Sequence, residues 1–282
     1  MQTMKEIFEE IETNGGMTPS RRLRDIANRF PEQIAFRDKR YGIWNEMSYK
    51  EFWMEVQYVG CALNYFGIQK TEKVAIHSEN RPEWLIADIG VQAIGGITVG
   101  LYPTNPPAEV QYLLSHSESK ILFAEDQEQV DKALEVLDEV PNLSKIIYFE
   151  EKGLFRYDSE KLMRWDEFLE IGKEEYEKNK DFVNFCIDEI KSEDVALMIY
   201  TSGTTGPPKA SMLSHGNMEW TASIIPDLSF TPNISNPEYL SYLPLCHVFG
   251  RLVDEIIAIN SIGTINFAES IDTVQRLSLI HI

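Results

Sequence analysis

Between residues 74 and 149 the chain switches repeatedly between short apolar runs and helical patterning, and this alternation restricts the folds open to it more than any other feature. Residues 74–78 read as a buried strand, 82–93 as a helix and 97–101 as a second strand, which together make a βαβ unit. The pattern continues with a helix at 107–115, a strand at 120–124, a helix at 127–138 and a strand at 145–149. Strands joined through helices run parallel, because a tight hairpin reverses the chain. An α/β fold is therefore expected, mainly parallel, with helices on both sheet faces. The apolar stretch 86–101 is broken by Asp88, Gln92 and four glycines, so it predicts a buried helix running into a strand rather than a membrane span.

Flanking segments extend the pattern. Thr18 and Pro19 form a helix start, followed by Leu23, Ile26, Ala27 and Phe30 at helical spacing, which puts Arg21, Arg22 and Arg24 on the wet face as solvated charges. Residues 34–36 and 44–49 suggest a hairpin, and 48–66 an amphipathic helix closed by Gly67. A polar interval, 150–191, with a helix at 165–178, joins two α/β subregions of about 18–150 and 192–276. In the second, 217–225 and 247–260 read as helices, and 239–243 and 264–267 as strands.

An apolar run at 195–199 opens directly into Tyr-Thr-Ser-Gly-Thr-Thr-Gly-Pro-Pro-Lys, residues 200–209. Thr201, Ser202, Thr204 and Thr205 supply hydroxyl donors, Gly203 and Gly206 allow close backbone approach, and Lys209 offsets negative charge. That combination suits a phosphate-holding loop. It is not a Walker A sequence, because Pro208 precedes the lysine and Ala210 follows it. The formal charge of −19 argues against a general nucleic-acid binder, so any anionic ligand has to be gripped locally. Cys61, Cys186 and Cys246 are widely spaced, which gives neither a disulfide framework nor a zinc pattern and fits a reduced, cytoplasmic protein. The acidic first 16 residues lack the order of a signal peptide.

The 200–209 string resembles the signature of the adenylate-forming (AMP-binding) superfamily, in which this loop grips the β- and γ-phosphates of ATP. Segments 78–84, 99–104, 112–116, 152–157, 165–168 and 242–251 are similar to long-chain fatty-acyl-CoA synthetases in particular. The resemblance implies the N-terminal-domain part of the adenylate-forming fold, with stacked, mainly parallel sheets flanked by helices. It also implies ATP, a fatty acid and coenzyme A as ligands, with magnesium bridging phosphates and taking few protein ligands. Thr201, Ser202, Gly203, Thr204, Thr205, Gly206 and Lys209 would bind the nucleotide, and Lys209 and His247 would be the catalytic positions. His247, in the Pro-Leu-Cys-His motif at 244–247, would lie by the carboxylate and acyl channel, orienting rather than attacking; a helix cap is its competing role.

Arg251, a turn further on, would either shape the site or form a surface ion pair. Cys246 is assigned to packing, and His77 and His116 to structure. His215 is expected to support the loop, with Ser214 and Asn217 capping the next helix.

Two departures from the family pattern stand out. Ala210-Ser211 replaces the usual Gly-Val after the loop lysine, and the family's adenine-, magnesium- and ribose-binding segments, hinge and C-terminal domain are absent. The expectation is a partial N-terminal domain, 1–276, with 277–282 either a non-native tail or a strand. Two competing functions stay open: a ligase for an aryl or other acid, and a non-catalytic nucleotide-binding or interaction protein. Peripheral membrane contact and oligomeric state are also left open.

Overall fold

The computed structural model describes residues 18–40, 42–201, 206–224, 236–268 and 273–274. Helix α1 (Pro19–Arg29) starts where Thr18 accepts a hydrogen bond from the Arg21 N–H, with Pro19 in its first turn. The hairpin β1 (Ile34–Arg40) and β2 (Ile43–Ser48) leads into α2 (Tyr49–Tyr65). A capping box opens that helix, with Ser48 and Glu51 each bonding the other's backbone N–H. Next come β3 (Lys73–His77), α3 (Pro82–Ala93), β4 (Ile97–Leu101), α4 (Pro107–Ser117), β5 (Ile121–Ala124), α5 (Gln127–Glu135) and β6 (Lys145–Tyr148). The predicted alternation is all present, except that helix 127–138 ends early and continues as a 3-10 turn at Leu137–Glu139.

Strand β7 (Leu162–Arg164) and helix α7 (Phe182–Asp188), on either side of α6 (Trp165–Lys178), were not expected from the sequence. Strand β8 (Val195–Thr201) is followed by an unforeseen β9 (Lys209–Ser214), then α8 (His215–Ile224) and β10 (Glu238–Ser241). The helix expected at 247–260 is interrupted. It consists of α9 (Val248–Arg251), a π-helical stretch Leu252–Ile257 and α10 (Ala258–Asn260), before β11 (Thr264–Phe267).

Seven strands form one sheet in the order β7-β6-β5-β3-β4-β8-β9, parallel except for the β8–β9 pair. Four form a second, β10-β11-β1-β2, antiparallel only between β1 and β2. The period of two along the strands sorts side chains to opposite cores. Val74, Ile76, Ile121, Phe123 and Ile147 face α2, α3 and α6, whereas Ala75, Leu122, Ala124 and Ile146 face α4 and α5. The second sheet joins the first of these cores, with Phe36 of β1 against Phe52 of α2 at a ring separation of 4.3 Å. Helix α3 is buried along its whole length, which is why 86–101 is so apolar.

The arginines of α1 correct the sequence reading. Arg21 donates to the carbonyls of Ile187, Asp188 and Ile190 at 3.0, 3.2 and 2.9 Å, where the end of α7 leaves carbonyls without helical partners. Arg22 is only 3% exposed and donates to Asn260 Oδ1 at 2.6 Å. Arg21 and Arg24 keep partly wet positions, Arg24 pairing with Asp188 at 3.0 Å. A helical wheel shows one apolar face; it cannot show that α7 and α10 close over the other.

Candidate active site

Strand β8 sends Met198 and Tyr200 into one core and Leu197 and Ile199 into another, then ends at Thr201. The chain returns antiparallel as β9, with Thr201 opposite Lys209 and Tyr200 opposite Ala210. The described ends of the signature thus face each other across an antiparallel pair. Residues directly opposed across such a pair carry Cβ atoms about 5 Å apart on the same face, so the Thr201 hydroxyl and the Lys209 chain share the hairpin mouth. Both are exposed, and among the described residues no acidic side chain forms an ion pair with Lys209. Gly206 has φ +85°, a left-handed conformation that an L side chain rarely adopts. Ser202, Gly203, Thr204 and Thr205 lie outside the described residues. Ala210 sits in regular strand pairing, so the departure from glycine there costs the backbone nothing.

Helix α4 holds both stems of this hairpin. The Tyr112 hydroxyl donates to the Pro208 carbonyl at 3.0 Å, and one turn later His116 Nδ1 lies 2.7 Å from the Tyr200 hydroxyl. Burial pushes the Tyr200 phenol up to about 12, so it stays protonated at neutral pH. Sequence reasoning gave His116 a structural role without finding these partners. Its four-residue spacing from Tyr112 was the available signal.

The second element of the site is the turn before α9. His247 is exposed and caps the helix, its Nδ1 accepting from the Phe249 N–H at 3.2 Å. The cap uses Nδ1 and leaves Nε2 available to a ligand, so capping and ligand contact are compatible. Tyr242, Val248 and Phe249 of the same segment are exposed apolar side chains, at 48, 46 and 54%. The turn packs on β4, where a Cβ on Gly100 would lie 2.8 Å from the Cys246 Cα. Gly100 pairs with Ile199 of β8, two residues before that strand ends. Both candidate elements therefore stand at the carboxyl ends of adjacent parallel strands. The connection from β4 crosses back to β5, while that from β8 turns outward to β9. Such divergence opens the crevice in which α/β sheets bind ligands.

Arg251 is not a surface ion pair. It is 2% exposed, donates to Asp88 at 2.7 Å, approaches Glu255 at 3.8 Å and stacks over Trp84 at 4.6 Å. Burial, and then the Asp88 charge, hold the Glu255 carboxyl well above the usual range. Ser214 and Asn217 cap α8 as expected, Asn217 Oδ1 accepting from the Ser214 N–H at 3.0 Å and Ser214 Oγ from the Asn217 N–H at 3.2 Å. Burial pushes the Cys246 thiol up to about 12, which fits packing rather than nucleophilic chemistry. Among the described residues no group of three or more His, Cys, Asp or Glu side chains could hold a metal ion, and no helix is long and apolar enough to cross a membrane.

Two stacked sheets flanked by helices, with a hydroxyl-glycine-lysine hairpin at the carboxyl end of a parallel strand, are the N-terminal domain of the adenylate-forming fold. The chain belongs to the AMP-binding enzyme family, whose family model matches residues 23–281. It is 30% identical over 249 residues to the Xenopus laevis long-chain-fatty-acid–CoA ligase ACSBG2, covering 88% of this chain and 33% of that protein. The chain thus spans about a third of the length of that curated relative. Among solved structures, it superimposes on a Mycobacterium tuberculosis fatty acyl CoA synthetase with a TM-score of 0.72 at 19% identity, covering 93% of this chain and 47% of that one. An anthranilate CoA ligase, AuaEII, in complex with anthranoyl-AMP gives 0.73 at 20% identity, covering 94% and 47%. At these identities the two structures speak to the fold alone.

Proposed function

We propose that this stretch supplies the phosphate side, and part of the acid side, of an enzyme that activates a long-chain fatty acid with ATP and passes the acyl group to coenzyme A. The observation that carries the reading is the hairpin mouth, where Thr201 faces Lys209, which among the described residues has no acidic partner, at the end of the strand next to the one on which the His247 turn packs. In this reaction the fatty carboxylate attacks the α-phosphorus of ATP, pyrophosphate departs, and the thiol of coenzyme A then displaces AMP from the acyl-adenylate.

Lys209 would hold the departing pyrophosphate, contributing charge stabilisation and alignment rather than proton transfer. His247 would orient the carboxylate through Nε2, with the half-exposed side chains of Tyr242, Val248 and Phe249 offering apolar surface to the acyl chain. Magnesium would arrive on the ATP phosphates. The described hairpin residues Thr201, Gly206, Pro207, Pro208 and Lys209 include no carboxylate that would hold it.

The fatty acid as substrate is supported by the name of the Xenopus relative, whereas the fold alone accommodates an anthranilate ligase equally well. ATP–pyrophosphate exchange separates the two. Exchange driven by palmitate and not by anthranilate supports the fatty-acid reading; the reverse preference replaces it.

A further inference from the structure

We infer that Asn80, in the turn between β3 and α3, is the positioning residue that fixes His247 in the site; the inference rests on the acid-side role proposed for that histidine. The Asn80 side chain makes three bonds along the segment leading to His247. Its Nδ2 donates to Ser241 Oγ at 2.9 Å and to the Leu243 carbonyl at 2.7 Å, and its Oδ1 accepts from the Leu245 N–H at 2.9 Å. Donors and acceptor of an amide are fixed in one plane, so three simultaneous bonds set the direction of the turn as well as its distance.

Arg251 closes the frame from the other side. Its Nε donates to the Leu245 carbonyl at 3.0 Å, while Nη1 is tied to Asp88 and the guanidinium lies over Trp84. Leu245 is thereby held through both its N–H and its C=O. Below it, Gly100 lets Cys246 lie directly on β4, and the His247 N–H donates to the Pro244 carbonyl at 2.9 Å. An exposed ring is thus mounted on an extensively bonded turn. Such support is what a group that must meet a ligand in one orientation requires, since misplacement by an ångström forfeits most of the benefit of proximity.

The test uses the 282-residue chain. Asn80→Ala removes all three bonds, whereas Asn80→Asp keeps the acceptor for Leu245 and loses both donors. Palmitate binding is followed through the His247 ring signals by NMR, assigned by their loss in His247→Gln, and ATP binding by calorimetry. Palmitate should bind about tenfold more weakly to Asn80→Ala, and at least as weakly to Asn80→Asp, whose second carboxylate oxygen would meet the Leu243 carbonyl, while ATP affinity stays within about twofold. The ring signals of the buried His77 and His215 should not move.

A wild-type chain whose His247 signals ignore palmitate overturns the acid-side role, and this inference with it. Wild-type binding matched by Asn80→Ala overturns the inference alone. Parallel loss of both ligands, shifted His77 and His215 signals, or failure of both variants to fold would make Asn80 a folding residue and equally overturn it.

Discussion

His215 is fully buried, and among the described residues neither ring nitrogen has a hydrogen-bond partner. Burial pushes it down to about 4, with Asp194 opposing. Burial and then Lys132 push His77 down to about 4 as well. A depressed histidine binds its proton more weakly folded than unfolded, so between pH 6.5 and 4 the unfolded chain takes up protons that the native one does not. Stability from these rings is present above about pH 6.5 and lost as pH falls towards 4, by at most about 3 kcal/mol each. Asp254, raised to about 7 by burial, tilts the opposite way, because over that range the native carboxyl keeps a proton that the unfolded chain gives up. Comparing His215→Gln with wild type isolates the histidine: the variant should lose less stability than wild type between pH 7 and 5 in urea denaturation, and equal losses would reject the assignment. His247→Ala should raise the KM for palmitate in ATP–pyrophosphate exchange more than the KM for ATP; equal effects would leave the histidine only its cap.

At the scale of elements, the central unit is the hairpin β8–β9 with helix α4 laid across it. His116→Phe and Tyr112→Phe each delete one hydrogen bond to a stem while keeping the ring, at a cost of about 1 kcal/mol. Amide exchange around Tyr200 and Lys209 should accelerate in both, and stem protection identical to wild type would show that the clamp is idle. This unit also marks where sequence reading ran out. The βαβ alternation was legible because each strand from β3 to β6 is a short apolar run bounded by helix-start residues. Strand β9 was missed because Lys-Ala-Ser-Met-Leu-Ser has no apolar alternation, and its strand state comes from pairing with β8. The π-helical stretch was invisible for a similar reason, since the 248–260 pattern is helical and one extra residue per turn leaves little trace. Lys209 was read from the chemistry of its loop and His247 from resemblance, and Arg251 was singled out without its partners; Asn80 and Tyr112 emerged only when contacts 96 to 165 positions apart could be seen.

For the whole molecule, charge sets the problem that the site must solve. A net −19 repels an anion such as ATP over most of the surface, so the proposed site relies on a few donors concentrated where β4 and β8 end. The two sheets and the helices between them provide the mount for those donors. In the proposed function, Lys209 is the exposed cation assigned to the phosphates. The most direct measurement is therefore calorimetric titration of the 282-residue chain and of Lys209→Ala with pyrophosphate and with ATP, together with the melting temperature of each. The wild type should bind both, and Lys209→Ala should bind about ten to a hundred times more weakly with its melting temperature unchanged, as loss of one charge-assisted contact implies. Equal affinity in the two chains would contradict the assignment of this hairpin as the phosphate site.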